Sequence, residues 1–254
     1  MAKKILVANW KNHPNSLREA SRILVSMSRK SRTYKKLHTF VAPPLPYFEI
    51  VSERCGTYMS LAVQDLPAVS EDTETGAVSL TMLKSFGVRL AIVGHSERRA
   101  KGETAKVVRE KIEKFIKSGI PVLLCIGESE RDIDGAYFEF IREELKSALD
   151  GLRKESLSKI YIAYEPIWAI GRPAAEAMSP LDLAQMTIFI KKVLTDMFGR
   201  KQADKVSILY GGSVEESNAE ALAQESGVSG FLVGHDSLNP KDFAIIAEHL
   251  SKAK

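Results

Sequence analysis

Ile5-Leu6-Val7-Ala8-Asn9, close to the start of the chain, is a continuous apolar run, and seven more follow it. They are Thr39-Phe40-Val41-Ala42, Ser60-Leu61-Ala62-Val63, Leu90-Ala91-Ile92-Val93, Val122-Leu123-Leu124-Cys125-Ile126, Ile160-Tyr161-Ile162-Ala163, Val206-Ser207-Ile208-Leu209-Tyr210 and Phe231-Leu232-Val233. Runs this short, with little polar alternation, suit strands buried on both faces, as in a parallel sheet covered by helices. Each is followed by a helical pattern, over about residues 16–33, 48–53, 79–86, 106–117, 136–149, 180–198, 218–224 and 243–250. Strand–helix alternation calls for right-handed crossovers. Eight such units in 254 residues are the arithmetic of an α/β fold closed on itself: a (β/α)8 barrel of eight parallel strands ringed by helices. No linker or composition shift divides the chain, so one barrel domain over residues 1–254 is expected. An open doubly wound sheet usually carries a glycine-rich dinucleotide fingerprint after its first strand, and Asn9-Trp10-Lys11 stands there instead.

Local signals place several helix ends. Ser16-Leu17-Arg18-Glu19 reads as a capping box. Ser179-Pro180-Leu181-Asp182 combines an N-cap, a proline at the first helical position and an acid in the first turn. Over 106–117, Val107, Val108, Ile112, Phe115 and Ile116 point inward, with the lysines as a solvated face, and Gly119 ends the helix. The cations Arg29, Lys30, Arg32, Lys35 and Lys36 suit a helix C-terminus. No aromatic or glycine pattern accompanies them, so they do not read as a nucleic-acid site.

Composition narrows the class further. Hydrophobic content of 44% and charged content of 27% are ordinary for a soluble globular protein, and a net charge of +4 mildly suits an anionic ligand without identifying one. Cys55 and Cys125 form neither a disulfide framework nor a metal spacing. They read as buried and reduced, which fits the cytoplasm. Met1-Ala2-Lys3-Lys4 runs into a strand with no apolar signal region, and no apolar run is long enough to span a membrane.

In such a barrel the active site lies on the loops after the strands. Lys11 follows the first strand, His95 the fourth and Glu165 the sixth, while Gly211-Gly212-Ser213 follows the seventh and Gly234-His235 the eighth. Pro166 cannot continue a central strand and holds Glu165 at a strand end. Ile167, Trp168 and Ile170 are too apolar for an ordinary exposed loop and suit a lid that excludes water. A carboxylate under such a cover is a candidate proton-abstracting base; taken alone, Glu165 reads equally as a strand-end acid in a surface ion pair, with Trp168 as packing. The glycines after strands seven and eight suit a phosphate approached by backbone N–H groups, or serve only as tight turns. A cation, an imidazole and a carboxylate around a small phosphorylated ligand suggest proton transfer beside a carbonyl. Glu165 would take the proton from carbon, and His95 and Lys11 would stabilise the enediolate. No His-x-x-x-His pair or acidic cluster suggests a metal.

Along nearly its whole length the chain resembles the triosephosphate isomerase family. The resemblance rests on Asn9-Trp10-Lys11, Gly94-His95-Ser96-Glu97-Arg98-Arg99, Cys125-Ile126-Gly127-Glu128, the stretch Ala163-Tyr164-Glu165-Pro166-Ile167-Trp168-Ala169-Ile170-Gly171, and Tyr210-Gly211-Gly212-Ser213. It implies a TIM barrel that interconverts dihydroxyacetone phosphate and D-glyceraldehyde 3-phosphate in glycolysis and gluconeogenesis. The family is a standing example of a carboxylate base working with a neutral imidazole. By resemblance, Glu165 shuttles the proton, neutral His95 polarises the carbonyl beside a helix N-terminus, and Lys11 supplies positive charge placed by Asn9. Backbone N–H groups of Gly171, Ser213, Gly234 and His235 hold the phosphate, Glu97 supports Lys11, and Tyr210 belongs to the supporting shell. The lid is Pro166, Ile167, Trp168, Ala169, Ile170, Gly171, Arg172 and Pro173. No cofactor is implied. The long loop from Gln64 to Gly76 would dock into a second subunit through Thr75 and Gly76, making a homodimer.

Four places depart from the family pattern: Asn12-His13 after the lysine, Ala77 after Thr75-Gly76, Arg172-Pro173-Ala174-Ala175-Glu176 at the second lid hinge, and Gly234-His235-Asp236 after the eighth strand. Pro173 has no N–H, so a lid hydrogen bond from that position to Ser213 cannot form. His235 brings a titratable charge to the phosphate end. The altered lid leaves two rivals open: isomerisation of a related sugar phosphate such as a tetrulose phosphate, and a catalytically weak barrel kept as a binding protein.

Overall fold

A computed structural model describes residues 3–55, 58–66, 75–173 and 177–253. Its strands are β1 (Ile5–Asn9), β2 (His38–Ala42), β3 (Met59–Val63), β4 (Leu90–Val93), β5 (Val122–Ile126), β6 (Ile160–Tyr164), β7 (Ser207–Tyr210) and β8 (Gly230–Val233). They pair in parallel in that order, and β8 returns to β1 to close the barrel. The expected (β/α)8 architecture is therefore present. Each of the eight expected strands forms, with ends moved by a residue or so. His38, Met59 and Gly230 join strands that the apolar pattern starts later, and Val206 falls outside β7. Ladder pairing is made by the backbone, so a polar or glycine residue at a strand end can take part without joining the apolar pattern.

Side chains from alternate strand positions fill the barrel: Ile5, Val7, Ala42, Ala62, Leu90, Ile92, Leu123, Cys125, Ala163, Leu209 and Leu232 pack inside it. Their neighbours, such as Leu6, Ala8, Val41, Leu61 and Ile162, face outward into the layer shared with the helices. This burial on both faces explains the unbroken apolar runs. Gly230 sits where β8 meets β1 so closely that a Cβ would lie 1.8 Å from the Ile5 carbonyl oxygen.

The helices are α1 (Leu17–Ser28), α2 (Ser31–Tyr34), α3 (Phe48–Arg54), α4 (Leu80–Ser85), α5 (Ser96–Arg99), α6 (Ala105–Ser118), α7 (Ala136–Leu149), α8 (Pro180–Phe198), α9 (Arg200–Ala203), α10 (Ala219–Glu225) and α11 (Pro240–Lys252). The Ser16 and Ser179 caps form as expected, their hydroxyls accepting from the N–H of Glu19 and Asp182. The stretch expected as one helix to residue 33 is α1 and α2, separated by a turn.

One correction concerns α6. Lys111, expected on its solvated face, is 1% exposed. Its ammonium meets Asp65 at 2.5 Å and also contacts Glu103, while Arg98 holds the other oxygen of Asp65 at 2.7 Å. A buried cation needs such partners, and they come from segments that helical periodicity does not see. Both cysteines are buried and free. The middle of the loop after β3, residues 67–74, and Ala174, Ala175 and Glu176 of the second lid hinge lie outside the described residues.

Candidate active site

The cleft at the carboxyl ends of the strands has a volume of about 450 Å³. Asn9, Lys11, His95, Glu165, Gly171, Ser213, Gly234 and His235, all singled out from the sequence, line it together.

Glu165 stands one residue past β6 and is 2% exposed. Its backbone is braced by β5: its N–H donates to the Ile126 carbonyl at 2.8 Å, and the Ile167 N–H donates to the Glu128 carbonyl at 2.9 Å. Two glycines admit it. A Cβ on Gly127 would lie 1.8 Å from the Glu165 carbonyl oxygen, and one on Gly211 would lie 2.8 Å from its Cγ. Oε2 accepts from the Ser96 N–H at 3.4 Å. Oε1 faces His95 Nε2 at 3.5 Å and accepts no hydrogen bond among the described residues. A buried carboxylate oxygen in that condition is costly unless it has chemistry to do. Beneath it, the Cys125 thiol is pushed well up by burial and by the Glu165 charge, which keeps it protonated and inert.

His95 stands two residues past β4 and caps α5, its Nδ1 accepting from the Glu97 N–H at 3.2 Å. An acceptor nitrogen carries no proton, so this is the neutral tautomer with its proton on Nε2, on the side facing Glu165. Sequence patterning did not separate the four-residue α5 as a helix of its own, because it is too short to show a period.

Lys11 holds a left-handed backbone, φ 51°, uncommon for a residue with a side chain. Asn9 stabilises it, its Oδ1 accepting from the Lys11 N–H at 3.0 Å, while Gln64 Nε2 donates to the Lys11 and Ala42 carbonyls at 2.7 and 2.8 Å. The ammonium meets Glu97 Oε1 at 2.6 Å. Burial alone would raise the Glu97 carboxyl, but the hydrogen-bonded Lys11 ammonium overrides it and holds that group below its usual value.

Opposite lies a ring of Gly211, Gly212, Ser213, Gly234, His235 and the lid residues Gly171, Arg172 and Pro173. Gly212 lets the loop pass over Tyr210, whose hydroxyl would lie 2.4 Å from an added Cβ. Burial pushes the Tyr210 phenol up to about 12, so it stays neutral. Ser213 Oγ donates to the Arg172 carbonyl at 2.5 Å. Arg172 thus reaches Ser213 with the serine as donor, an arrangement compatible with a proline at 173. Leu232, Glu215 and Asp236 also line this end. Burial, then the nearby Glu215 and Asp242 carboxylates, raise the Asp236 carboxyl.

Pro166, Ile167, Trp168 and Ala169, expected in the lid, are not among the residues that line the cleft. Tyr164 and Trp168 converge on Glu128, which is 2% exposed: the Tyr164 hydroxyl donates to its two oxygens at 2.8 and 3.0 Å and Trp168 Nε1 donates to Oε1 at 2.9 Å. Sequence reasoning assigned Glu128 no role, since its partners lie far along the chain. Thr75 and Gly76 form an exposed turn, and Asn12 and His13 are exposed; none of the four lines the cleft. Among the described residues, no helix is long and apolar enough to cross a membrane.

With this geometry in view, the comparisons are direct. The family model described as Triosephosphate isomerase matches residues 4–250. The chain is 34% identical to the triosephosphate isomerase of Flavobacterium johnsoniae over 249 residues, covering 97% of this chain and 98% of that protein. It is 35% identical to that of Mycoplasma pneumoniae, covering 98% and 99% respectively. The enzyme of Carboxydothermus hydrogenoformans is 34% identical, again covering 98% and 99%.

Proposed function

The chain belongs to the triosephosphate isomerase family, and from that premise we propose how its cleft performs the reaction. The protein is an aldose–ketose isomerase interconverting dihydroxyacetone phosphate and D-glyceraldehyde 3-phosphate, a step of glycolysis. In our reading, Glu165 Oε1 takes the proton from carbon and returns it to the neighbouring carbon. Neutral His95 donates from Nε2 to the carbonyl oxygen, and Lys11 balances the negative charge of the enediolate. The base, the electrophile and the cation are all side chains, so the reading calls for no cofactor or metal. Backbone N–H groups of Gly171, Ser213, Gly234 and His235 hold the phosphate, with Asn9 and Glu97 positioning Lys11 and Tyr210 supporting the phosphate loop. The segment Pro166 to Pro173 covers the bound substrate and keeps water from the enediolate.

The observation that carries this reading is the approach of His95 Nε2 to a buried Glu165 oxygen without a hydrogen-bond partner. We further read residues 1–254 as one domain, working as a cytoplasmic homodimer through Thr75 and Gly76. The two free buried thiols support the compartment. Sedimentation would check the dimer.

The test is kcat/KM with glyceraldehyde 3-phosphate for wild type and Glu165→Ala. The wild type should turn over efficiently, and the variant should lose about 10²–10⁴-fold, the range of a positioned general base. Equal rates would overturn the base assignment, and preference for a tetrulose phosphate would reassign the substrate.

A further inference from the structure

Arg131 lies on the loop after β5, outside the cleft lining, and three segments meet at its guanidinium. Its centre is 4.8 Å from the Tyr137 ring and 5.7 Å from the Trp168 ring. Nη1 stands 3.7 Å from Asp182, in the first turn of α8 just past the second lid hinge. Nε stands 3.5 Å from Glu128 Oε1, the same oxygen that accepts from Trp168 Nε1 at 2.9 Å. The indole has the better geometry and holds the hydrogen bond. Arg131 Nε and Nη2 are buried without a hydrogen-bond partner among the described residues.

Buried guanidinium donors without partners are rare in settled structures and costly to keep. Here the missing acceptor is a short distance away and occupied by a residue of the lid. Oε1 also accepts from the Tyr164 hydroxyl at 2.8 Å, so Tyr164 and Trp168 fill its two lone pairs and Arg131 Nε stands by as a third donor that contends with the indole. If Trp168 moves with the lid, Glu128 loses one donor and its charge needs compensation. Arg131 is already alongside, steadied by Tyr137 and Asp182.

We propose that Arg131 is a positioning residue for lid movement, taking over Glu128 Oε1 when Trp168 Nε1 releases it. The inference rests on the proposed movement of Pro166 to Pro173 over the cleft. In the resting position Arg131 holds Trp168 by its ring face; in the covered position it satisfies Glu128. The exchange replaces one hydrogen bond to a buried carboxylate by another, so the lid can leave Glu128 without stranding its charge.

The experiment follows the indole N–H resonances of Trp168 and Trp10 while inorganic phosphate is added to the full-length protein, and measures the phosphate inhibition constant. In wild type, phosphate should shift the Trp168 resonance and leave that of buried Trp10 in place. In Arg131→Met the phosphate-dependent shift should be largely lost and the inhibition constant should rise roughly 3–10-fold, the scale of one cation–π contact and one exchanged hydrogen bond. Arg131→Lys retains charge without the planar fork and should recover part of both effects. It also serves as the folded variant if the methionine form proves unstable. In a Trp168→Phe background, where the contending donor is gone, the Arg131→Met effect should shrink; a general loss of packing would add unchanged. A normal Trp168 shift and an inhibition constant within about 2-fold of wild type in both Arg131 variants would overturn the proposal, being below what one such contact carries. The resonances need no turnover, so failure here is distinct from failure of the isomerase reading, which wild-type kinetics tests.

Discussion

The two ends of the cleft are built differently. At the end proposed for proton transfer, Glu165 and His95 are almost wholly buried and are oriented by backbone N–H groups of the short helix α5. At the end proposed for the phosphate, Arg172 and His235 are exposed, and Ser213 Oγ donates to the Arg172 carbonyl. Two of the four departures from the family pattern, at Arg172-Pro173 and at Gly234-His235-Asp236, also fall at this end. Moving a base by an ångström misaligns it with carbon and costs rate steeply. A phosphate held by backbone N–H groups and a diffuse positive field is less sensitive to which side chain carries each N–H.

If that contrast holds, substitutions at the proton-transfer end cost most. After Glu165→Ala itself, Gly127→Ala is the severest of these, because its Cβ would collide with backbone rather than with a movable side chain. We expect kcat to fall roughly 100-fold as Glu165 is displaced, with KM little changed. Steady-state kinetics would show it, and a loss confined to KM would break the comparison.

Pro173→Gly probes the other end. It restores an N–H and loosens the hinge, so the lid closing rate should change by about 2–5-fold, the scale of a proline–glycine exchange in chain entropy. Relaxation dispersion on Trp168 measures it, and equal rates would show that Pro173 does not limit the lid.

Glu97→Gln sharpens the comparison at Lys11. The exposed bridge limits the loss in kcat/KM to about 2–5-fold. Its pH sign is definite. The folded-state carboxyl is depressed below 4.5, so its stabilisation is present above that value and is lost as pH falls through the depressed one. The melting-temperature gap between wild type and Glu97→Gln should accordingly be full at neutral pH and close under acid. A gap that widens under acid would reverse the assigned sign.

Asp236→Asn is the mildest. Removing a carboxylate from the phosphate end should lower KM by about 2-fold, with kcat unchanged. The gain should be larger at pH 8 than at pH 5, because the raised Asp236 carboxyl is more fully ionised at the higher pH. Inhibition by inorganic phosphate across that range measures it.

Much of the barrel was legible because its signals are local or repetitive. Eight runs buried on both faces stand out without knowledge of their neighbours, and Ser16, Ser179 and Gly119 mark helix ends through bonds within a turn. The side chains gathered at the cleft were legible once the strands were counted, since a barrel collects the residues following each strand at one mouth. Lys111 was misplaced because its partners Asp65 and Glu103 come from another loop and from before the helix start. Arg131 carried no sequence signal at all, its meaning residing in a ring 37 positions onward.

By itself, then, the sequence determined the fold class, the order of the elements and the identity of the groups meeting at the cleft, because apolar periodicity and turn chemistry act over a few residues. Tertiary structure alone decided the bond from the Glu97 N–H that orients the His95 ring, the left-handed turn at Lys11, the glycine clearances around Glu165 and the contest for Glu128. Those properties depend on distances between segments far apart in the chain, and a hydrogen bond or a steric clearance is settled within tenths of an ångström.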